Sequence, residues 1–380
     1  MKLKLREYRG APDKQRIVNA IIGEPVDRVP NFEILIEDKI VEKLLGRHVG
    51  GATLGDMDPE DVFADSIDRS RKVHQDRVVK ESRRPIRAKD YAEICKIVGQ
   101  DAISIGELTA PFFKKSQDGT HVLAMDKSFK TRKDVEENLI LPTENPDYYK
   151  RIIPHVREYK EEAKKNNLGF TILCADLFTQ LYENIFGLTD FSYMLYDDIA
   201  LIEELLEAGV EYWMGFARFI ADEGVDFIYF ADDLAFKSGL FVDPKIFRNL
   251  YLDKYTKLWE PFVEKGIPLI FHSDGNVYEI MDDLIDRGMQ CFNPIDPYCM
   301  DYKVLKKRYG KNLTLMGNIN LTFPLSMGKP EDVWKDVKEH MDVCKPGYRY
   351  ICATSHSMVN YIPADNVVAF YDAIHEYGLY

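Results

Sequence analysis

Short apolar runs alternate with longer segments of helical periodicity along the 380-residue chain. Several of the runs are apolar throughout, which is typical of parallel strands that are buried on both faces. From residue 225 onwards, the order strand, polar loop, helix, glycine, strand occurs four times. This alternation predicts an α/β fold, namely a (β/α)₈ TIM barrel, with an open doubly wound sheet as the alternative. The eight predicted strands are Val29–Ile36, Ala102–Gly106, Phe170–Ala175, Phe227–Ala231, Pro268–His272, Gln290–Pro294, Leu313–Gly317 and Tyr348–Ala353.

The segment Glu37–Gln100 interrupts the alternation, because it is rich in charged residues and carries no clear strand. We predict that it forms a helical cap or insertion after the first strand. A second irregular stretch, Glu107–Lys130, is predicted to form a hairpin over the barrel mouth. Since no linker rich in Gly, Ser or Pro divides the chain, residues 1–380 are predicted to form a single domain.

The charge balance argues against some classes of partner. Fifty Lys and Arg against 63 Asp and Glu give a net charge of −13, whereas proteins that bind nucleic acids or anionic membranes rely on basic surface. The amino-terminal residues lack the apolar stretch of a signal peptide, and no run approaches the roughly 18 apolar residues of a membrane span. Six cysteines without a CxxC pair fit a reducing compartment. We therefore predict a cytoplasmic protein that binds neither nucleic acid nor membrane.

Polar side chains follow the predicted strands at their carboxyl ends, where the active site of such a barrel lies. His272 and Asp274 come at the end of the fifth strand, and residues i and i+2 of a strand point to the same side. His356 follows the eighth strand. Because carboxylates and imidazoles at an apolar mouth are costly to desolvate unless they pair or bind something, a metal ion is an economical interpretation. The other polar residues at strand ends include Glu33, Asp176, Asp232, Asp233, Asn293, Asp296 and Asn318.

These residues also have simpler interpretations, which the spacing alone leaves open. His272 would then only hydrogen-bond a neighbouring loop, and the stretch Asp274–Asn276 would be a turn that caps the next helix. Asp232 and Asp233 would likewise be loop and cap residues. An isolated His-x-Asp pair does not decide between these interpretations and a metal site.

Six segments, taken in order, carry a resemblance to a known family. They are RIVNAIIGEPVDRVP (Arg16–Pro30), DDLAFKSGLFVDPKIF (Asp232–Phe247), IPLIFHSDGN (Ile267–Asn276), NPIDP (Asn293–Pro297), LKKRYG with LMGNIN (Leu305–Asn320) and SHSMVNYIPADN (Ser355–Asn366). Over nearly its whole length the chain resembles the uroporphyrinogen decarboxylase superfamily. The resemblance implies a TIM barrel, in agreement with the strand count. It also implies either a tetrapyrrole decarboxylase or a zinc-dependent methyltransferase that exchanges a methyl group with a corrinoid protein.

Two departures from the family patterns separate these branches. The decarboxylases carry an RQAGR-type motif after the first strand, whose arginines bind substrate carboxylates, whereas this chain has the acidic stretch NFEILIE (Asn31–Glu37). Such an edge would repel a polycarboxylate porphyrinogen. The thiol methyltransferases carry His-x-Cys after strand five and a further Cys after strand eight. Here the matching residues are His272, Asp274 and His356, so the resemblance implies a zinc site built without thiolates.

The ligand change has a chemical consequence. Two imidazoles and one carboxylate leave more positive charge on Zn²⁺ than thiolates do, which makes a stronger Lewis acid. Such a site suits cleavage of a methyl ether, as in the methyltransferase subunits of anaerobic aryl-ether O-demethylase systems. The resemblance thus implies methyl transfer from an O-methylated, aromatic small molecule to the Co(I) of a corrinoid, of the methylcobalamin type, carried by a partner protein.

The remaining candidate residues receive supporting roles. Asp232 or Asp233 is predicted to be catalytic, by orienting a substrate hydroxyl or a ligand histidine. Glu33, Asn318 and Asp296 are predicted substrate contacts, and Asp296 or Glu33 is also a possible fourth metal ligand. One alternative is a metal-independent decarboxylase or lyase of a small acid that uses Asp232 as the acid. Another is a non-catalytic subunit that retains the barrel and docks a corrinoid carrier. A homodimer is possible in each case.

Overall fold

A curled sheet of seven parallel strands forms the centre of the computed structural model, which describes residues 2–8, 10–54, 85–115 and 121–380. The strands in chain order are β1 (Ala102–Glu107), β2 (Phe113–Lys115), β3 (His121–Leu123), β4 (Leu139–Ile140), β5 (Gly169–Cys174), β6 (Ile228–Ala231), β7 (Ala235–Phe236), β8 (Gly239–Leu240), β9 (Leu269–His272), β10 (Cys291–Asn293), β11 (Thr314–Ile319) and β12 (Tyr350–Thr354). The sheet order is β1-β5-β6-β9-β10-β11-β12. Seven of the eight predicted strands are thus confirmed, and they pair in the order in which they occur in the chain.

The predicted first strand, Val29–Ile36, closes the barrel through isolated bridges instead of a continuous ladder. Asn31 bridges in parallel to Gln100, just before β1, and to Cys352 of β12. The Cys352 N–H donates to the Pro30 carbonyl over 2.9 Å. Pro30 has no N–H to donate, and the N–H groups of Glu33 and Ile36 donate to the side chains of Gln100 and Thr53, so the segment forms bridges in place of a continuous ladder. Both edges of the sheet nevertheless meet at Asn31, and the TIM barrel is confirmed.

Apolar side chains from alternate strand positions fill the barrel interior. This cluster includes Phe32, Ala102, Leu173, Phe227, Tyr229, Ile270, Cys291, Met316, Ile351 and Ala353. The first helix, α1 (Lys14–Ile22), closes the amino-terminal end of the barrel with Ile17. The Thr314 hydroxyl, at the start of β11, donates to the Ala20 carbonyl over 2.7 Å. The opposite end, where the strands finish, is therefore the open mouth.

The other helices are α2 (Asp38–Leu45), α3 (Ala88–Val98), α4 (Arg132–Asn138), α5 (Ile153–Lys165), α6 (Leu188–Asp197), α7 (Ile199–Glu223), α8 (Pro244–Phe247), α9 (Asp253–Val263), α10 (Met281–Asp286), α11 (Tyr302–Tyr309), α12 (Pro330–Cys344) and α13 (Ala364–Tyr377). The longest of them, α7, begins where the Asp198 side chain accepts from the Leu201 N–H and ends at Gly224 in the left-handed region. None of the helices in the described ranges is both long and apolar enough to span a membrane.

The two irregular segments, Glu37–Gln100 and Glu107–Lys130, contain the predicted helices and the predicted hairpin in their described parts. Helices α2 and α3 lie within the predicted insertion, but residues 55–84 lie outside the described residues. In the second segment, β2 and β3 pair antiparallel, and β4 joins β2 on its other side. The predicted hairpin is therefore confirmed for its described part, which follows the carboxyl end of β1. That residues 1–380 form a single domain stays a prediction.

Candidate metal centre

Three side chains converge at the mouth, beyond the ends of the adjacent strands β6 and β9. They are Asp233, His272 and Asp274, and one ligand atom from each lies within 4.8 Å of the others. The His272 Nε2 atom is 3.8 Å from Asp233 Oδ1. The Asp274 backbone N–H donates to the same Asp233 oxygen over 2.9 Å, which ties the two loops together. We call this set the Asp233–His272–Asp274 cluster.

The loop that carries Asp274 is held by its neighbours on both sides. The Ser273 N–H donates to the Asn293 carbonyl over 3.1 Å, and the Ser273 hydroxyl accepts from the Leu234 N–H over 3.0 Å. Gly275 has a φ of +85°, and a Cβ there would lie 2.1 Å from the Ala235 carbonyl oxygen. Glycine therefore lets the β7–β8 hairpin approach this loop closely. The packing of the loop against its neighbours fixes the position of Asp274.

The His272 ring is oriented from within the barrel. Its Nδ1 atom lies 2.7 Å from Asn293 Oδ1, so Nε2 is the ring nitrogen that faces the carboxylates. Burial raises the pKa of Asp274. The imidazole of His272 lowers this pKa, and the negative charge of Asp233 raises it. Neighbouring carboxylates of this kind repel each other unless a cation lies between them.

His356 lies near this cluster but on its solvent side. Its side chain is 56% exposed, and its Nε2 atom is 3.9 Å from Asp274 Oδ2. The structure thus brings together two of the three predicted metal ligands, His272 and Asp274, and adds Asp233 as the third member. Ligation by His356 stays a prediction.

Asp232 is fully engaged with the backbone of the neighbouring loop. The carboxylate is 2% exposed and accepts from the N–H groups of residues 177–179, with donor distances of 2.7–2.8 Å. The hydroxyls of Thr179 and Tyr255 donate to it as well. Burial raises the pKa of Asp232 to about 6, although the hydrogen bonds favour its charged form. Because five donors saturate both oxygens, the geometry favours a role in holding the loop after β5; the predicted catalytic role is not tested by it.

Two of the predicted substrate contacts are also occupied by protein groups. Glu33 is 1% exposed and contacts the Thr354 N–H and hydroxyl, at 2.6 and 2.8 Å. The Asn318 amide donates to the Ile295 carbonyl over 2.7 Å, and its oxygen lies 2.8 Å from His340 Nε2. Both side chains are thus engaged beside the barrel wall and not in the Asp233–His272–Asp274 cluster. Their role toward substrate stays a prediction.

Asp296 lies closer to the cluster than the other two. It accepts from the Tyr298 N–H over 2.9 Å and from the Cys299 thiol over 2.9 Å. Its charge contributes to the raised pKa of Asp274, which places it in the same electrostatic neighbourhood. The thiol of Cys299 has its pKa raised to about 12, by burial and by Asp296, and is therefore protonated near neutral pH.

The donor set fits a divalent cation. One imidazole nitrogen and two carboxylate oxygens are ligands that Zn²⁺ accepts, and three protein ligands leave a further position open. The two carboxylates carry a charge that a divalent cation would neutralise.

Tyr229, whose hydroxyl donates to Asn293 below the cluster, was not singled out from the sequence. Strand periodicity puts Phe227, Tyr229 and Ala231 on one face of a predicted strand, but it does not say that this face is the inward one.

Comparisons with known proteins agree with this architecture. The family model for Uroporphyrinogen decarboxylase (URO-D) matches residues 119–377. A methyltransferase from Methanosarcina mazei has a similar structure, with a TM-score of 0.67 and 18% identity over 97% of this chain and 99% of that chain. An endo-β-1,4-xylanase from Gloeophyllum trabeum has a TM-score of only 0.36, with 11% identity over 56% of this chain and 77% of the xylanase. No curated protein matches the sequence. At 18% identity, the likeness to the Methanosarcina mazei methyltransferase shows the fold alone.

Proposed function

The chain belongs to the uroporphyrinogen decarboxylase family, and from the chemistry of its mouth we propose that it is a methyltransferase. It takes a methyl group from an O-methylated, aromatic small molecule and passes it to the Co(I) corrinoid of a partner protein. The observation that carries this proposal is the Asp233–His272–Asp274 cluster, which offers one nitrogen and two oxygens at the open end of the barrel. The cytoplasmic location and a homodimer stay predictions.

The residues of the cluster would hold the metal ion. His272 supplies Nε2, and Asp233 and Asp274 supply one carboxylate oxygen each. Zinc in this position would act as a Lewis acid toward the ether oxygen and stabilise the departing phenolate. His356, exposed beside Asp274, is available to contact a ligand from the solvent side of the cluster.

Apolar side chains next to the barrel interior would bind the aromatic ring. Ile34, Leu54 and Leu108 are half-buried and pack against the interior core. Ile34 belongs to the segment that closes the barrel, and Leu108 follows the end of β1, so both lie towards the mouth. Apolar walls with a few polar groups are the usual composition of a small-molecule site.

The decarboxylase alternative finds less support in the geometry. It needs Asp232 as a proton donor, but five hydrogen bonds already occupy that carboxylate. A decarboxylase of a tetrapyrrole would in addition need cations for the substrate carboxylates, and the stretch Asn31–Glu37 contains none. In this stretch Glu33 contacts Thr354, and Glu37 accepts from the Asn360 N–H over 2.6 Å.

The test combines the zinc-loaded protein, a Co(I) corrinoid protein and a panel of methoxyarenes. We expect the absorption of methyl-Co(III) to grow in step with release of the phenol. His272→Gln should abolish this transfer, whereas His155→Gln, a half-buried histidine on α5, should leave it intact. If no methyl ether, amine or thioether methylates the corrinoid while a carboxylic acid releases CO₂ without it, the protein is a decarboxylase. Zinc binding without turnover of any donor would favour the non-catalytic subunit.

A further inference from the structure

Two buried polar side chains, Tyr229 and Asn293, lie beneath His272 of the Asp233–His272–Asp274 cluster. Tyr229, His272 and Asn293 come from the adjacent strands β6, β9 and β10, and His272 is paired in register with Asn293. Tyr229 is 1% and Asn293 5% exposed. Since Ile270 and Cys291 face the barrel interior, the residues two positions later face it as well.

The contacts of Asn293 determine which end of its amide faces His272. Its Nδ2 group donates to the Met316 carbonyl over 3.1 Å. The Tyr229 hydroxyl donates to Oδ1, the other end of the amide. Because the Met316 carbonyl only accepts, its bond to Nδ2 turns the oxygen of Asn293 toward His272, and that oxygen lies 2.7 Å from Nδ1. A carbonyl oxygen only accepts, so the hydrogen of this bond belongs to the imidazole.

We infer that Asn293, held by Tyr229 and the Met316 carbonyl, is a positioning residue that fixes His272 as the Nδ1–H tautomer. The lone pair of Nε2 then points at Asp233 and Asp274. The opposite tautomer would present a hydrogen at Nε2 and could not ligate a metal ion through that nitrogen. The Tyr229 oxygen, 3.3 Å from Nδ1, is able to accept from the same N–H while its own hydrogen goes to Asn293.

The choice of an amide also matters for the charge of the site. Asn293 is a neutral acceptor, so its hydrogen bond adds no charge to the cluster, whose two carboxylates and one imidazole suit a divalent cation. A carboxylate at position 293 would make the imidazole more basic and reduce the electrophilicity of a bound metal ion. The inference rests on the metal site of the proposed function, but not on the methyl donor or the corrinoid.

The tautomer is measurable in the metal-free protein. Long-range ¹H–¹⁵N correlation spectra of ¹⁵N-histidine-labelled protein distinguish the two tautomers, and the His272→Gln variant identifies the His272 signal among the eight histidines. We expect Nδ1–H in the parent, loss of this preference in Asn293→Leu, and its retention in Asn293→Asp, which keeps an acceptor. Zn²⁺ affinity, measured by competition with a chelator, should fall by about 10- to 100-fold in Asn293→Leu.

Asn318→Leu is the matched control, because it also removes a buried, fully hydrogen-bonded amide from the next strand without touching His272. It should leave the His272 tautomer and the Zn²⁺ affinity unchanged. The inference is wrong if folded Asn293→Leu protein keeps the Nδ1–H tautomer and binds Zn²⁺ within about two-fold of the parent. Equal losses in Asn293→Asp and Asn293→Leu would also overturn it. If the parent shows the Nδ1–H tautomer and Asn293→Leu loses Zn²⁺ affinity, but the parent transfers no methyl group, only the proposed function fails.

Discussion

The buried acid Glu33 gives a stability prediction that depends on pH. Burial raises the pKa of Glu33 from 4.5 to about 8, although the contacts with Thr354 oppose this. The folded protein therefore holds a proton that the unfolded chain releases above pH 4.5. For an acid whose pKa is raised on folding, stability is greatest below the unfolded value and falls as the pH rises toward the folded one. We therefore expect the free energy of unfolding to decrease between about pH 4.5 and pH 8.

The size of the effect follows from the two pKa values. A rise from 4.5 to about 8 corresponds to about 5 kcal/mol of unfolding free energy once the folded group is fully ionised. Glu33→Gln mimics the protonated acid, since its amide can accept from the Thr354 N–H and donate to the Thr354 hydroxyl. Relative to the parent, the variant should gain roughly 4 kcal/mol between pH 5 and pH 8.

Urea denaturation of both proteins at pH 5, 6, 7 and 8 measures this difference. Glu33→Met serves as the control, because it removes the carboxyl and also leaves the Thr354 donors without a partner. Its cost from the lost hydrogen bonds should be about 1–3 kcal/mol at every pH, on top of the same pH-dependent gain. A parent-to-Gln difference that stays flat from pH 5 to pH 8 would refute the idea that folded Glu33 is neutral at neutral pH.

Three further predictions concern the mouth. The purified protein should hold about one Zn²⁺ per chain, and His272→Ala should lose most of it by elemental analysis; full retention would remove His272 from the site. Asp274→Cys should retain zinc but slow ether cleavage, followed by the growth of methyl-Co(III) absorption, because a thiolate lowers the Lewis acidity of the metal. An unchanged rate would mean that Asp274 is a loop residue and not a metal ligand. Asp232→Ala should lower the free energy of unfolding by about 3 kcal/mol or more in urea denaturation, because it leaves the three backbone N–H groups of residues 177–179 without a partner. A loss under about 1 kcal/mol would contradict the role of Asp232 in holding the loop after β5.

The periodicity of the chain was sufficient to predict the barrel wall. Seven short runs, several of them apolar throughout, became parallel strands, because strands that are buried on both faces carry few polar residues. The first run behaved differently, since Pro30 cannot take part in a ladder on its N–H side. The apolar run nevertheless predicted a strand over Val29–Ile36, whereas the structure has isolated bridges there.

Strand-end polarity was less informative about which side chains face the mouth. Glu33 and Asn318 stand at strand ends like His272, but their partners are Thr354 and His340. A polar residue at a strand end has several partners available in the helix layer and in the neighbouring strands. The sequence does not say which of these it meets, because the loops and helices that provide them are distant in the chain.

Strand order, in contrast, could have identified Asp233 as a member of the cluster. Consecutive strands of a barrel are neighbours about 5 Å apart, so residues that follow strands four and five lie side by side. Two strands, β10 and β11, separate His272 from the strand that carries His356. Strand adjacency therefore favours Asp233 as a partner of His272, whereas His356 comes within 3.9 Å of Asp274 from the loop after β12. The family pattern pointed to His356, which follows β12. The strand next to β9 instead leads to Asp233, whose Oδ1 atom lies 3.8 Å from His272 Nε2.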